Sequence, residues 1–434
     1  MKFDTSPVKG TRDFLPEEMI LRQKIIEKIK NIFEIFGFSP LETPALEKWE
    51  ILAAKGAGGS EVLKETYRFK DKGGRDIGLR YDLTVPLARV IANNPNLQLP
   101  FKRYQIQKVW RYGDVKRGRL REFLQCDIDI VGTENLVADA EVIACAVKVL
   151  EELGFKNFFV RLNSRKLLTA LVIYAGISKE KVLEVFRSID KLDKIGLDGV
   201  KEELKEKGFS KQQISKIEEF LKISGEPFEI LKQAEKLVGE IEEGKSGIKE
   251  LRELVEYLKE FGVYDKIRLD LSLARGLDYY TGPIFEIWCE ERGIGSLAGG
   301  GRYDELIGLF AGRKVPATGI SLGIERILEI LKERTKKIEK TKVKVFVAAA
   351  TNDVKKDVFK IVKMLRENGI KTDFDLKGRK LKRQLEYADS LQIPFVVIVG
   401  KEELKEDCVR LRDMRKREER KVKINELIQT LTKS

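Results

Sequence analysis

Hydrophobic residues at helical spacing open the chain, and a short extended segment follows them. Between residues 18 and 36 isoleucine, leucine and phenylalanine recur every three or four positions, which predicts one long helix that ends at Gly37. Residues 38–44 include prolines at positions 40 and 44, which favour an extended conformation. The chain is therefore predicted to begin with a helix that runs into a strand.

The middle of the chain alternates between strand-like segments and a purely helical tract. Strand-like runs recur at residues 105–112, 121–131, 266–272 and 284–289. Antiparallel strands with helices on one side indicate an α+β core rather than a doubly wound sheet. Between residues 177 and 261 the pattern changes to charged amphipathic helices without strand signals. This tract is predicted to be a helical insertion into the core domain.

The last part of the chain shows a different alternation. Residues 332–342 are charged and lack glycine, which predicts a linker. Beyond it the pattern predicts an α/β module, with strands at 345–350, 372–375, 395–399 and 409–414, and helices at 353–368, 381–390 and 424–432. The predicted organisation is a core domain formed by residues 1–176 and 262–331, the insertion 177–261, the linker 332–342 and a C-terminal domain, residues 343–434.

Charge is unevenly distributed along the 434 residues, a length that suits two or three domains. The formal net charge is +13, and residues 343–434 contain 23 Lys and Arg against 15 Asp and Glu, a net of +8. This excess indicates a polyanionic partner such as RNA. A Lys- and Glu-rich solubilising surface, as in heat-tolerant proteins, is the alternative that composition leaves open.

Residue usage excludes several kinds of chemistry. The chain contains no histidine, so a histidine base, a Ser-His-Asp triad and a histidine-ligated metal are excluded. No Cys-x-x-Cys pair is present, so we expect neither a disulfide framework nor a cysteine-ligated zinc in a reducing cytoplasm. Apolar runs are strand-length, and no secretory signal opens the chain, so no membrane association is expected. The four cysteines are Cys126, Cys145, Cys289 and Cys408.

One short segment carries the most specific chemistry. Residues 275–286 place Arg275, Tyr279 and Tyr280 in one run whose residue types suit a phosphate clamp and hydroxyl partners for a small polar ligand. For an isolated Arg-Gly pair, an ordinary amphipathic strand would be the simpler interpretation. The whole string, however, resembles the signature of histidyl-tRNA synthetases, a class II aminoacyl-tRNA synthetase family. By this resemblance Arg275 is a catalytic residue.

A second cluster, residues 109–130, consists of two strand-like segments around a loop rich in glycine, lysine and arginine. This layout is typical of a phosphate-holding hairpin, and an exposed basic hairpin is the alternative. The cluster resembles class II motif 2. The resemblance implies that Arg111 holds the ATP α-phosphate as the second catalytic residue, that Arg119 also binds ATP and that Phe123 stacks on adenine. The loop 113–118 would reach the tRNA acceptor end.

Two further segments resemble class II motifs. Residues 319–326 are similar to motif 3, which implies that Arg326 covers the adenine face opposite Phe123. The opening helix and strand resemble motif 1, which implies a homodimer. Together with residues 9–14 and 299–304, which match family segments, the resemblance covers essentially the whole chain, although the insertion matches loosely.

The amino-acid pocket follows from the same resemblance. Residues 79–84 resemble the family strand whose acidic residue and threonine hold the substrate ammonium group, a task shared with Gln125. Asp129 would accept a hydrogen bond from one imidazole nitrogen, and Tyr280 would meet the other. The residues expected to bind histidine are Asp82, Leu83, Thr84, Arg111, Gln125, Asp129, Arg275, Tyr279, Tyr280 and Tyr303.

The resemblance implies an α+β protein with a class II antiparallel-sheet catalytic core, a helical insertion and a C-terminal α/β anticodon-binding domain. It implies a cytoplasmic histidine–tRNA ligase that activates L-histidine with ATP and Mg²⁺ and transfers it to the 3′ end of tRNA(His). Two alternatives are a non-catalytic synthetase-like regulatory paralogue and a class II synthetase for another amino acid.

Overall fold

The structure is a computed structural model that describes residues 3–54, 59–115, 118–274, 279–290, 295–335 and 338–433. Two compact units divide the chain. Residues 1–12 and 25–331 form the first unit, and residues 13–24 and 332–434 form the second. No helix among the described residues is long and apolar enough to cross a membrane.

An eight-stranded sheet forms the centre of the first unit, in the order β1-β5-β6-β11-β10-β9-β7-β8. Adjacent strands in this sheet are antiparallel, except for the parallel pairs β1–β5 and β7–β8. A small antiparallel sheet has the order β2-β4-β3. The strands of this unit are β1 (Ser39–Pro40), β2 (Leu46–Lys48), β3 (Arg68–Lys70), β4 (Asp76–Leu79), β5 (Phe101–Trp110), β6 (Glu122–Val131), β7 (Phe158–Ser164), β8 (Ile267–Leu269), β9 (Pro283–Cys289), β10 (Gly295–Arg302) and β11 (Ala317–Gly323).

Helices pack around this sheet, and α5 contributes a nearly continuous row of buried alanine, valine and isoleucine side chains. The helices are α1 (Pro16–Ile35), α2 (Trp49–Leu52), α3 (Gly59–Glu65), α4 (Thr84–Asn93), α5 (Val137–Glu152), α6 (Arg165–Tyr174), α7 (Val182–Ile189), α8 (Leu192–Glu206), α9 (Lys211–Leu221), α10 (Pro227–Val238), α11 (Glu242–Glu260), α12 (Gly308–Ala311) and α13 (Ile324–Arg334). Helix α1 begins two residues before the predicted start and ends one residue before the predicted end.

Residues 177–261, all of which the structure describes, contain helices α7–α11 and no strand. Local capping explains where one of these helices begins. The Ser210 side chain accepts a hydrogen bond from the Gln213 backbone N–H at 3.2 Å, and the Gln213 side chain accepts from the Ser210 N–H at 2.9 Å. This reciprocal arrangement satisfies two N–H groups that would otherwise lack partners at the start of α9.

The second unit contains a five-stranded sheet in the order β13-β12-β14-β15-β16. On β12, Val345 and Val347 pack with buried residues of α14 and α17, whereas Phe346 and Ala348 pack on the opposite face beside α15. Helices therefore cover both faces, as in other α/β sheets. The elements are β12 (Val345–Ala349), α14 (Lys355–Glu367), β13 (Thr372–Phe374), α15 (Leu381–Ser390), β14 (Phe395–Val399), α16 (Lys401–Lys405), β15 (Cys408–Asp413), β16 (Glu418–Lys423) and α17 (Ile424–Lys433).

The predicted fold class is confirmed, because helices accompany an antiparallel-dominated sheet and the C-terminal unit is an α/β module. The strands that were not predicted are β2, β3, β4, β7, β10 and β16. Strand β10 has glycine at positions 299–301, and β16 is almost entirely charged, so neither shows a strand pattern in sequence. The predicted extended segment 38–44 pairs only at Ser39–Pro40.

Glycine in β10 is required by the close approach of a neighbouring backbone. A Cβ atom on Gly300 would lie 2.1 Å from the Gly319 carbonyl oxygen, a backbone atom that cannot rotate away. At Gly299 the nearest atom to such a Cβ is 3.9 Å away. The contact between β10 and β11 therefore tolerates a side chain at one of two adjacent positions and not at the other.

We expect Gly300→Ala to lower the free energy of unfolding by about 2–3 kcal/mol, because the extra carbon forces the two strands apart. Gly299→Ala is the matched control and should cost clearly less. Urea unfolding of the two variants, followed by circular dichroism, measures the difference. Equal losses in both variants would contradict the close approach of β10 and β11.

Candidate active site

A cavity of about 460 Å³ opens over strands β6, β9, β10 and β11. Most of the predicted site residues line it. Asp82 and Leu83 precede the lining residue Thr84 at the start of α4, and Arg275 lies outside the described residues. The predicted residues that line the cavity are Thr84, Arg111, Arg119, Phe123, Gln125, Asp129, Tyr279, Tyr280, Tyr303 and Arg326.

Strand β6 supplies the polar floor of the cavity. Its alternate residues Phe123, Gln125, Asp127 and Asp129 all line the cavity, as expected for side chains that share one face of a strand. The neighbouring positions on β11 are Gly319 opposite Asp129, Ser321 opposite Asp127 and Gly323 opposite Gln125. These small residues leave space above the sheet for a ligand.

Asp129 is held by a buried cation and a buried hydroxyl. Arg103 is completely buried on β5, and its Nη2 lies 2.7 Å from Asp129 Oδ2. The Tyr303 hydroxyl donates to Asp129 Oδ1. Burial raises the pKa of Asp129, while Arg103 and Tyr303 oppose that rise. A Cβ atom on Gly319 would lie 2.0 Å from Asp129 Oδ1, so this carboxylate also requires a glycine beside it.

The start of α4 places the next acidic residue. Asp82 is buried, and its Oδ1 accepts a hydrogen bond from the Val85 N–H at 3.0 Å. Burial raises the pKa of Asp82, and the Val85 N–H and the Arg111 cation act in the opposite direction. Leu83 takes part through its backbone, because its carbonyl accepts from Arg103 Nη2 at 3.2 Å. Arg103 therefore connects the start of α4 to Asp129 in the floor of the cavity.

Three tyrosines form one wall beside these carboxylates. The ring centroids of Tyr279 and Tyr280 are 5.0 Å apart, and those of Tyr279 and Tyr303 are 5.8 Å apart, both in edge-to-face arrangements. Burial raises the pKa of each hydroxyl, and nearby acidic groups raise it further. All three hydroxyls therefore stay protonated near neutral pH and keep a proton to donate.

Arginine and aromatic side chains also line the cavity. Arg111 Nε donates to the Tyr81 carbonyl at 3.1 Å, and its guanidinium lies 4.3 Å from the Tyr81 ring centroid and 5.1 Å from that of Phe123. Arg119 is more exposed, and its Nη2 is 3.8 Å from Glu65 Oε1. An exposed pair at this distance is weak, so Arg119 can turn to an anionic ligand at little cost.

Arg326 also lines the cavity, and its Nη1 donates a hydrogen bond to the Ser296 carbonyl. Its guanidinium and the Phe123 ring line the same cavity, and both groups can stack on a flat heterocycle. The carboxylates of Glu286 and Glu325 also line the cavity. Among the described residues, no three metal-ligating side chains form a cluster.

Asp127 and Arg103 are among the residues of the site that were missed in the sequence. Asp127 lies between Gln125 and Asp129 in the period-two pattern of β6, and that alternation was the signal that could have identified it. Arg103 faces Asp129 across β5 and β6, and only the register of the two strands reveals this pairing.

The histidyl-tRNA synthetase family profile matches residues 10–327, and the anticodon-binding domain profile matches residues 344–434. The chain belongs to the histidyl-tRNA synthetase family. A curated histidine–tRNA ligase from Korarchaeum cryptofilum is 43% identical over 98% of this chain and 97% of its own length. The corresponding ligase from Aeropyrum pernix is 42% identical over 92% of this chain and 91% of its own.

A solved structure of the same family also resembles this chain. The crystal structure of histidyl-tRNA synthetase from Nostoc sp. PCC 7120 is similar with a TM-score of 0.86 and 33% identity, and the match covers 100% of both chains. Family membership confirms the predicted class II fold with a C-terminal anticodon-binding domain. The similarity to curated histidine–tRNA ligases supports that activity over a regulatory paralogue or a synthetase for another amino acid.

We expect Arg103→Met to lower the free energy of unfolding by about 3–5 kcal/mol, because it leaves the buried Asp129 carboxylate without its cation. Adding Asp129→Asn to this variant should recover part of the loss. Without Arg103 the folded-state pKa of Asp129 rises further, so the deficit should shrink as the pH falls and the carboxyl takes up a proton. Denaturant unfolding at several pH values measures both effects.

Lys148→Met is the control for removal of a cation, because Lys148 forms an exposed ion pair with Glu152 at 2.8 Å. This substitution should change stability little. A deficit in Arg103→Met that is no larger than that of the control, or that is independent of pH, would show that Asp129 does not depend on Arg103.

Proposed function

We propose that the cavity over β6 is where this histidyl-tRNA synthetase family member joins L-histidine to ATP before transfer to tRNA(His). The observation that carries the proposal is that one cavity has two kinds of lining residue. Carboxylates, an amide and tyrosine hydroxyls line it together with arginines and an aromatic ring, and we call these two sets of residues the acidic half and the basic half. Such a combination suits a small cationic amino acid beside a polyphosphate.

The acidic half is proposed to hold histidine. Asp82, Thr84 and Gln125 would bind the ammonium group, since carboxylate, hydroxyl and amide oxygens all accept hydrogen bonds. Asp129 would accept from one imidazole nitrogen, and Tyr280 would meet the other. A buried site that hydrogen-bonds both ends of its substrate rejects analogues that lack the matching groups. Leu83, Tyr279 and Tyr303 would complete the pocket through backbone placement and packing.

The basic half is proposed to hold ATP. Phe123 would stack on one face of adenine and Arg326 on the other, because a guanidinium packs flat against an aromatic ring. Arg111 would bind the α-phosphate, and Arg119 would contact the phosphates from the exposed rim. Arg275 lies outside the described residues. By the family resemblance, it would add a second cation at the α-phosphate.

Mg²⁺ is proposed to accompany ATP. Glu286 and Glu325 line the cavity and offer the hard oxygen ligands that Mg²⁺ prefers. Few protein ligands are needed, because Mg²⁺ at nucleotide sites is held by one or two carboxylates together with phosphate oxygens and water. The donor chemistry fits, and the ion would supply charge neutralisation at the outer phosphates.

The chemistry requires no protein base. A histidine carboxylate oxygen attacks the α-phosphorus, and the bond from that phosphorus to the bridging oxygen breaks as pyrophosphate leaves. Arg111 and Arg275 would stabilise the negative charge that gathers on the α-phosphate oxygens in the transition state. A terminal hydroxyl of tRNA then attacks the carbonyl carbon of the adenylate, the bond from that carbon to the phosphate oxygen breaks as AMP leaves, and a phosphate oxygen takes up the hydroxyl proton. This scheme agrees with a chain that contains no histidine.

The C-terminal domain is proposed to bind the anticodon of tRNA(His). Residues 344–434 match the anticodon-binding domain profile, and the net charge of +8 over residues 343–434 favours a polyanion. Charging of tRNA serves translation, so we expect the enzyme to act in the cytoplasm.

Histidine-dependent exchange of pyrophosphate into ATP by the purified chain tests the proposed function. Exchange should require histidine, and none of the other nineteen amino acids should replace it. Exchange that depends on another amino acid would show that the enzyme is not specific for histidine. A lack of exchange with all twenty amino acids would contradict adenylate formation in this cavity.

We expect deletion of residues 343–434 to leave histidine-dependent exchange largely intact while lowering kcat/KM for tRNA charging by more than about a hundredfold, because RNA contacts leave with most of the excess positive charge. Charging assays over a range of salt concentrations measure the loss. The full-length chain is the control and should show the steeper salt dependence. Unchanged charging by the truncated chain would contradict the assignment of this domain.

A homodimer is proposed as the working unit. Ile35 at the end of α1, Leu46 on β2 and Phe69 on β3 are apolar and exposed, by 71%, 47% and 43% respectively, which favours burial against a second copy. Sedimentation at micromolar concentration should therefore give twice the mass of the chain. An active monomer under these conditions would contradict the proposal.

A further inference from the structure

Asp127 is a buried carboxylate in the middle of the proposed histidine pocket to which no role has yet been given. It lines the cavity, and only 3% of its surface is exposed. Its Oδ1 is buried and has no hydrogen-bond partner among the described residues. A buried acceptor atom without a hydrogen bond lowers the stability of the folded protein. An unpaired Asp127 Oδ1 in this cavity therefore indicates a ligand that donates hydrogen bonds to this region.

The other oxygen of Asp127 contacts Gln125. Gln125 Nε2 donates to Asp127 Oδ2 at 3.3 Å. An ionised carboxylate only accepts hydrogen bonds, so the edge of the amide that faces Asp127 has to be the NH₂ group. The amide oxygen is then turned away. Gln125 Oε1 is buried and also has no partner in the described part of the chain.

We propose that Asp127 is a positioning residue that fixes the amide of Gln125 with its oxygen directed at the ammonium group of histidine, and that it does so only when it is ionised. The proposal rests on the assignment of the histidine pocket given above. A protonated Asp127 has a proton to donate, so it could accept either orientation of the amide. The acceptor for the ammonium group would then be lost in part of the molecules.

Charged groups around Asp127 decide when it ionises. Arg103 on β5 is the nearby cation, whereas Asp129 on β6 and Asp82 before α4 are nearby anions, and the Tyr280 hydroxyl faces the same group. Ser321 opposite it on β11 is uncharged, and its hydroxyl lowers the pKa of Asp127. Burial is the largest influence and raises the pKa of Asp127 to about 7, with Arg103 opposing the rise and Asp129 adding to it. The switch between the two forms therefore falls near neutral pH.

The KM for histidine should depend on pH through the protonation of Asp127. Above pH 7 the carboxylate is ionised before histidine arrives, and the amide of Gln125 is already oriented. Below pH 7 a proton occupies Asp127 in the free enzyme, and histidine binding has to expel it. The KM for histidine should therefore rise as the pH falls, in addition to the titration of the substrate imidazole near pH 6.5.

The test compares wild type with Asp127→Asn in histidine-dependent pyrophosphate exchange between pH 6 and pH 8.5. Asparagine has the same shape and no charge at any pH, and the substrate titrates identically in both assays. At pH 8 the variant should show a KM for histidine about tenfold higher, as for loss of one charge-assisted contact, with the KM for ATP unchanged. At pH 6 the two KM values should be nearly equal.

Two histidine analogues separate the ammonium group from the rest of the pocket. Histidinol keeps the ammonium group, and imidazolelactate replaces it with a hydroxyl. Asp127→Asn should weaken inhibition by histidinol at pH 8 about as much as it raises the KM for histidine, and it should leave inhibition by imidazolelactate unchanged. The second result also shows that the variant pocket is intact.

A double variant tests the route through Gln125. In the Gln125→Leu background the amide oxygen is absent, so Asp127→Asn should add much less than its effect in wild type. Fully additive effects would overturn the positioning role, and so would a KM ratio that is constant from pH 6 to pH 8.5. A wild type without histidine-dependent exchange would instead overturn the proposed function, and this inference with it.

Discussion

The buried ion pair between Arg103 and Asp129 is the interaction on which the rest of the site depends. A carboxylate beneath a cavity is strongly disfavoured in its ionised form unless a cation lies beside it. Arg103 meets this requirement from the neighbouring strand, and the same guanidinium donates to the Leu83 carbonyl at the start of α4. One side chain thus stabilises a charge in the floor of the cavity and attaches the segment that carries Asp82 and Thr84.

The pairing of strands makes this arrangement possible. Arg103 and Asp129 are direct partners in the β5–β6 register, and Gly319 is the partner of Asp129 on the other side. A one-residue shift in either register would turn the polar side chains to the opposite face of the sheet. Glycine at position 319 leaves the space that the carboxylate occupies, and glycine at position 300 lets β10 approach β11. Local backbone packing and ligand chemistry are therefore set by the same strands.

Charge divides the cavity in a way that agrees with a two-substrate reaction. Acidic and hydroxyl groups on β6 and in the tyrosine wall favour a cationic ligand, while Arg111 and Arg326 favour phosphate and a flat ring. Phe123 and Gln125 are separated by one residue on β6 and belong to different halves. The two proposed substrates would thus meet above a single strand, with the histidine carboxylate next to the α-phosphate.

The sequence by itself determined the fold class, the helical tract 177–261, most strands and ten of the residues that line the cavity, because period-two and helical patterns and short motifs are local properties. It did not reveal β10, whose glycines have no side-chain pattern, or β16, whose residues are charged on both faces. It also did not reveal the pairing of Arg103 with Asp129 or the contact of Asp127 with Gln125. These depend on which strands are neighbours and on their register. Position relative to Arg103, rather than residue type, decides which of two equally buried carboxylates pairs with the cation, and burial raises the pKa of the other, Asp127, to about 7.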